Sequence, residues 1–206
     1  MRRLTAHTIN PATARHNLNG YQTNLASRAS LGETADIQPF FYNRYDLAAM
    51  CSYYFPDIRT VDSIAHEFVI YGDFKADMII GDSALARYLL VEFEDGLPNS
   101  IFNKTPKTAP DWAKRFEGAF SQVIDWLWKL DDMRSTGDFQ RVFGTRDASF
   151  QALIIAGKGM NLSDQEKSRL RWRVDKLRVD SKAVSVVSLD DLVADVDFWL
   201  TKYFGV

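Results

Sequence analysis

Cysteine is all but missing from this chain. Cys51 is the only one among 206 residues, which excludes an intramolecular disulfide and leaves too few thiolates for a cysteine-based zinc site. Its setting, Leu47-Ala48-Ala49-Met50-Cys51, predicts a buried core residue. Long apolar runs are missing as well: stretches such as Tyr88 to Val91 and Ala152 to Ala156 fall far short of the ~20 residues that a membrane-spanning helix needs. No membrane partner is expected. Met1-Arg2-Arg3 has the charge of a signal peptide, but Thr5, His7, Thr8 and Asn10 stand where an apolar segment would have to follow. The chain is therefore expected in the cytoplasm. A dominant charge is lacking too. With 25 Lys and Arg against 27 Asp and Glu the formal net charge is -2, which argues against nucleic-acid binding by bulk charge and leaves room for a local basic patch.

What is present is an ordinary globular composition, 46% hydrophobic, 13% aromatic and 25% charged. The length suits one α/β domain with an N-terminal appendage. Residues 1–30 are polar, rich in Asn, Thr and Ala, and read as an arm or leader; residues 31–206 read as the domain. A helix is expected from Gly32 until Pro56, capped by Thr34 or Asp36 with Pro39 near its first turn. Phe68–Tyr71, Lys75–Ile80 and Arg87–Glu94 then read as three strands, punctuated by Gly72-Asp73, Gly81-Asp82-Ser83 and Asp95-Gly96. Beyond a loop with Pro98, Pro106 and Pro110, apolar residues from Trp112 to Leu130 recur at helical spacing. A short helix over Asp138–Phe143 follows, then a buried strand over Phe150–Ala156. Ser163 with Glu166 is a capping-box signature for a helix running towards Arg178. Lys182–Leu189 reads as the last strand and Asp190–Tyr203 as a terminal amphipathic helix.

Alternation places Tyr88, Leu90, Glu92 and Glu94 on one face of their strand. A hairpin centred near Ala84 or Leu85 brings Asp77 roughly opposite Glu92. Carboxylates gathered in this way can chelate one hard cation, because a divalent ion offsets the repulsion that burying them would cause. Such an ion can activate water and polarise a phosphodiester. Taken singly, charged residues on strands are most often a solvated face, and Gln122 by itself is a polar neighbour of an apolar stripe. The cations of Lys167 to Arg178 likewise suit a solvated helix face.

The order of parts is informative: an early helix with Glu33, then Asp77, then Leu90-Val91-Glu92-Phe93-Glu94, then Phe120-Ser121-Gln122-Val123-Ile124-Asp125-Trp126-Leu127, and late Arg169-Leu170-Arg171-Trp172-Arg173. It resembles the restriction-endonuclease-like PD-(D/E)XK core, and from about Gly32 to Val193 it resembles the nuclease domain of the Shedu antiphage defence proteins. The resemblance implies an α/β fold with a central mixed sheet flanked by helices, Mg²⁺-dependent hydrolysis of DNA with Mn²⁺ as a substitute, and assembly into a homo-oligomer. Asp77 and Glu92 match its metal-binding acids, Glu33 its first-helix acid and Gln122 its supporting glutamine. Glu94 departs from the pattern, standing where lysine is usual. Glu94 then binds a second metal, or a cation elsewhere such as Lys75 or Lys104 replaces the missing charge, or the site is catalytically silent. Arg169, Arg173 and Lys176 are further candidates for contact with DNA phosphates.

Overall fold

The computed structural model describes residues 4–206; Met1, Arg2 and Arg3, with their signal-peptide charge, lie outside the described residues. A seven-stranded mixed sheet runs through the molecule in the order β1-β2-β3-β4-β5-β7-β6. Its strands are β1 (Thr5–Ala6), β2 (Ser63–Ile70), β3 (Phe74–Asp82), β4 (Arg87–Phe93), β5 (Ser149–Ile155), β6 (Arg178–Val179) and β7 (Lys182–Val187). β4 pairs antiparallel with β3 and parallel with β5, which pairs parallel with β7. Two helical layers cover the sheet. On one face α1 (Pro11–Ser27), α2 (Gln38–Tyr42), α3 (Tyr45–Ala49) and α7 (Leu189–Trp199) bury Met78, Ile80, Leu89, Val91 and Phe93. On the other, α4 (Lys114–Met133) and α5 (Gly137–Phe143) cover Ile79, Tyr88, Leu90, Ala152 and Ile154. Cys51 is fully buried in the first of these layers. No helix among the described residues is long and apolar enough to cross a membrane.

Several elements differ from the sequence expectation, each for a physical reason. The segment read as an arm contributes β1 at the sheet edge and α1 against the core. Asn10 caps α1 by accepting the Thr13 N–H, and Pro11 opens it. Only Ala14, Leu18 and Tyr21 are buried there, a stripe too narrow to stand out among Asn, Thr and Arg. The single helix expected after Gly32 is broken into a π-helical turn at Glu33–Ile37, α2, α3 and a 3₁₀ turn at Met50–Tyr54. β3 continues through Gly81 and Asp82, so the turn falls at 83–86 rather than on the glycine. Gly81 serves packing instead: a Cβ there would sit 2.6 Å from the Tyr88 ring and from Ser63 Oγ. The capping box is formed as expected, opening α6 (Asp164–Lys176) with Ser163 and Glu166.

Candidate acidic site at the end of the central strand

The β3–β4 ladder runs through Met78↔Val91, and one further step of that register sets Asp77 across from Glu92. Asp77 Oδ2 accepts the Phe93 N–H at 2.8 Å, while Oδ1 accepts Gln38 Nε2 at 2.9 Å and the Tyr42 hydroxyl at 3.4 Å. Asp77 is the neighbouring acid that contributes most, after burial, to the raised pKa of Glu92. Beyond β4 the chain continues straight into Glu94, whose N–H still donates to Ile155 O. Glu92, Glu94 and Asp95 are all buried.

Glu33 arrives from the other side. Backbone bonds between Leu31 and Gly96 in both directions, and from the Glu33 N–H to Asp95 Oδ1 at 2.8 Å, pin this segment beside the end of β4. The π-helical turn then spaces Glu33 and Gln38 so that Gln38 Nε2 donates both to Glu33 Oε1 at 3.0 Å and to Asp77. Widened turns of this kind are frequent at functional sites. The last contributor is Arg115 in the first turn of α4, where Nη1 meets Asp95 Oδ2 at 2.8 Å, Glu33 Oε2 at 3.2 Å and Glu94 Oε2 at 3.4 Å. Its place is set by the loop before the helix: Trp112 stacks on Phe102 and on Phe116, and the Ala113 N–H donates to Ile101 O.

The cluster therefore has two halves. Asp77, opposite Glu92, holds Gln38 and Tyr42; Glu94 and Asp95 share Arg115; Glu33, bonded to both Gln38 and Arg115, links the two. Five acids face one guanidinium, and the electrostatics follow. Burial pushes Glu92 up to about 10, with Asp77, Glu94 and Glu33 adding to the shift. Burial and Glu33 raise Glu94 to about 7 against the opposing pull of Arg115. Glu33 is raised by burial and Asp77. Asp77 is raised by burial, against the bonds from Phe93, Gln38 and Tyr42 and the charge of Lys75. Burial leads all four shifts, and at Glu33, Glu92 and Glu94 the neighbouring acids add to it. Among the described residues no three His, Cys, Asp or Glu side chains stand ready-made as a metal cage. The arrangement can store protons and can accept a hard cation if the carboxylates turn towards it.

The other candidates lie apart. Gln122 is exposed on α4, two turns beyond Arg115. Lys75 pairs with Glu67 at 3.1 Å. Lys104 Nζ donates to Glu166 and to Asn161 O, at the capped end of α6. Arg169 donates to Pro110 O and lies over Phe102 and Trp112. Arg173 forms a two-pronged pair with Glu117 beneath a cover of Trp112, Phe116 and Phe120. Lys176 is exposed. Sequence reasoning missed Gln38, Tyr42, Asp95 and Arg115. Gln38 was five residues from Glu33, a spacing that only a π turn makes useful, and nothing in the sequence ties position 115 to position 94. A separate cavity of about 550 Å³, walled by Tyr53, Trp199, Tyr203 and Phe204 with Arg59 at its lining, contains none of these acids.

Among curated proteins, none matches the chain. The pattern of the family of the Shedu protein SduA, C-terminal, matches residues 31–193, a span that holds every acid of the cluster together with Arg115 and supports an association with antiphage defence. The chain belongs to that Shedu family.

Proposed function

We propose that the chain is a metal-dependent DNA endonuclease acting in antiphage defence, with Asp77 and Glu92 holding Mg²⁺, or Mn²⁺ in its place, and Glu33 beside them. The observation that carries this reading is the convergence of buried carboxylates whose charge one guanidinium does not balance. An all-oxygen donor set suits a hard cation. Such an ion, when bound, polarises a phosphate and acidifies water. The chain's own groups prepare the rest. Phe93 N–H, Gln38 and Tyr42 hold the Asp77 carboxylate in place, and Glu92 gives up the proton it carries when the metal-free site takes a cation. In hydrolysis the water oxygen bonds to phosphorus as a P–O bond to the sugar breaks. One water proton goes to a site carboxylate and the departing sugar oxygen receives a proton from solvent.

Gln122 and the exposed Lys75 and Lys176 are proposed to extend the contact with DNA, whereas Lys104, Arg169 and Arg173 at the α6 end are held by Glu166, Pro110 O and Glu117. Cleaving both strands takes two sites or one that acts twice, and the Shedu resemblance implies assembly, so the active form is proposed to be a homo-oligomer in the cytoplasm. The test is titration calorimetry with Mn²⁺ and Mg²⁺, followed by assays on linear, nicked and single-stranded DNA. The parent protein is expected to bind metal and cleave, and Asp77→Asn to lose both while staying folded. DNA binding that needs no metal, with no cleavage of any form, would replace this reading by that of a noncatalytic nucleic-acid-binding or sensing module.

A further inference from the structure

Arg115 is held in an unusual way for a structural arginine. All three of its ion pairs, to Glu33, Glu94 and Asp95, are made through Nη1. Nη2 and Nε donate to none of the described residues, and the side chain is 56% exposed. A guanidinium whose purpose was to neutralise the cluster would spread its donors over the carboxylates, since two-pronged pairing is the stronger geometry. Arg173 does so with Glu117 in this same molecule. Arg115 instead is fixed by one corner and turns a free edge outward, next to the acids that the proposed function assigns to the reaction. That free edge, two parallel N–H groups on a rigid plane, matches two oxygens of a phosphate. The other cations considered for this task are engaged elsewhere: Lys75 with Glu67, Lys104 with Glu166, and Arg169 with Pro110 O.

We infer that Arg115 is the phosphate-contacting cation of the site, binding non-bridging oxygens of the backbone phosphate, and that Glu94 and Asp95 are its positioning residues. This rests on the hydrolytic reading for its catalytic consequence, though not for the contact itself. It also gives Glu94 a task that suits an acid. With Asp95 it holds Nη1, so that the free edge keeps its direction as the phosphate arrives. Negative charge that builds on the non-bridging oxygens during hydrolysis is then met by a donor already in place.

The experiment separates contact from chemistry. Binding of a fluorescein-labelled duplex is followed by anisotropy in EDTA over a range of salt, and Mn²⁺ binding is followed by calorimetry without DNA. Arg115→Ala is expected to weaken DNA binding and reduce the salt slope by about one, while Mn²⁺ still binds. Cleavage is expected to fall on the order of 100-fold or more, with Arg115→Lys in between. Glu94 lies against Arg115, so a lysine at 94 reaches the same place: Arg115→Ala combined with Glu94→Lys should recover cleavage that Arg115→Ala alone lacks, a rescue that a merely structural role would not produce. If Arg115→Ala unfolds, Arg115→Ala with Glu94→Gln, which removes an acid along with the cation, carries the same binding test. DNA affinity and salt slope at the parent level in the folded variant would overturn the inference. A parent that binds no Mn²⁺ and cleaves nothing, yet loses salt-dependent DNA binding on Arg115→Ala, would sink the nuclease reading and leave the phosphate contact standing.

Discussion

Glu92 is the residue at which the folding and the proposed chemistry of this molecule pull in opposite directions. It sits in the central strand, buried, with its carboxyl raised to about 10 by burial and then by Asp77, Glu94 and Glu33. The unfolded chain ionises near 4.5, so at neutral pH folding must bring a proton with it. Glu92→Gln keeps the size and supplies an N–H on the side that faces Asp77 across the hairpin. It also removes the proton requirement, and one pKa unit is worth about 1.4 kcal/mol. The metal-free variant is expected to be more stable than the parent at pH 8 by more than about 1 kcal/mol in chemical denaturation, and to have lost Mn²⁺ binding in calorimetry. A destabilised variant would show that Glu92 is ionised and paired in the folded protein. Tyr42, whose hydroxyl faces Asp77, is kept protonated by burial and the same acids, so it remains a donor throughout this range.

At the scale of elements, the sequence made the sheet's middle legible and hid what closes the site. The two-residue alternation of faces along β4 and the hairpin register located Asp77 opposite Glu92, since successive side chains of an extended strand point to opposite faces even where, as here, both are buried. The capping box at Ser163 was legible for the same reason: it is a local bond pattern. Arg115 and Gln38 were not, since one depends on where a proline-containing loop delivers α4 and the other on a π turn that no hydrophobic period announces. Nor did the basic stripe of α6 reveal that its members differ. Arg173 lies only 14% exposed, against Glu117 and within 4.2 Å of the Phe120 ring centroid, joining α6 to α4. Lys176 on the same helix is exposed. Arg173→Ala is therefore expected to lower the unfolding free energy by about 1–3 kcal/mol through the lost pair and ring contacts, and Lys176→Ala to leave it within about 0.5 kcal/mol. Urea titrations of both variants decide it. Equal effects would mean that α6 is one solvated face.

The whole molecule carries two populations of carboxylates with opposite pH signatures. Asp36 is lowered by the Gly32 N–H and Glu117 by Arg173, while at Asp62 and Glu166 burial is outweighed by bonds from Ser83 and from Ser163 with Lys104. Their folded values lie below the unfolded ones, so the stability they add is present above about pH 4 and is lost as pH falls through the folded values. Glu33, Asp77, Glu92 and Glu94 have folded values above the unfolded ones. There the native state binds more protons than the unfolded chain, so the slope of stability with pH is negative from about pH 4 upward, until each group loses its proton in the folded state. Adding the two signs predicts a maximum near pH 4 and a steady loss towards pH 8, on the order of 1 kcal/mol per pH unit for each proton held. A divalent cation that binds the ionised acids works against the second limb only, because it stabilises the folded form in which those protons have left. Melting curves from pH 3 to 9 in EDTA and in millimolar Mn²⁺ should thus coincide below pH 5 and separate above it, the metal-bound curve staying flat. Curves that separate equally at every pH would place metal binding away from these four acids, and a metal-free curve rising from pH 5 to 8 would mean that the cluster is ionised and balanced without any added cation.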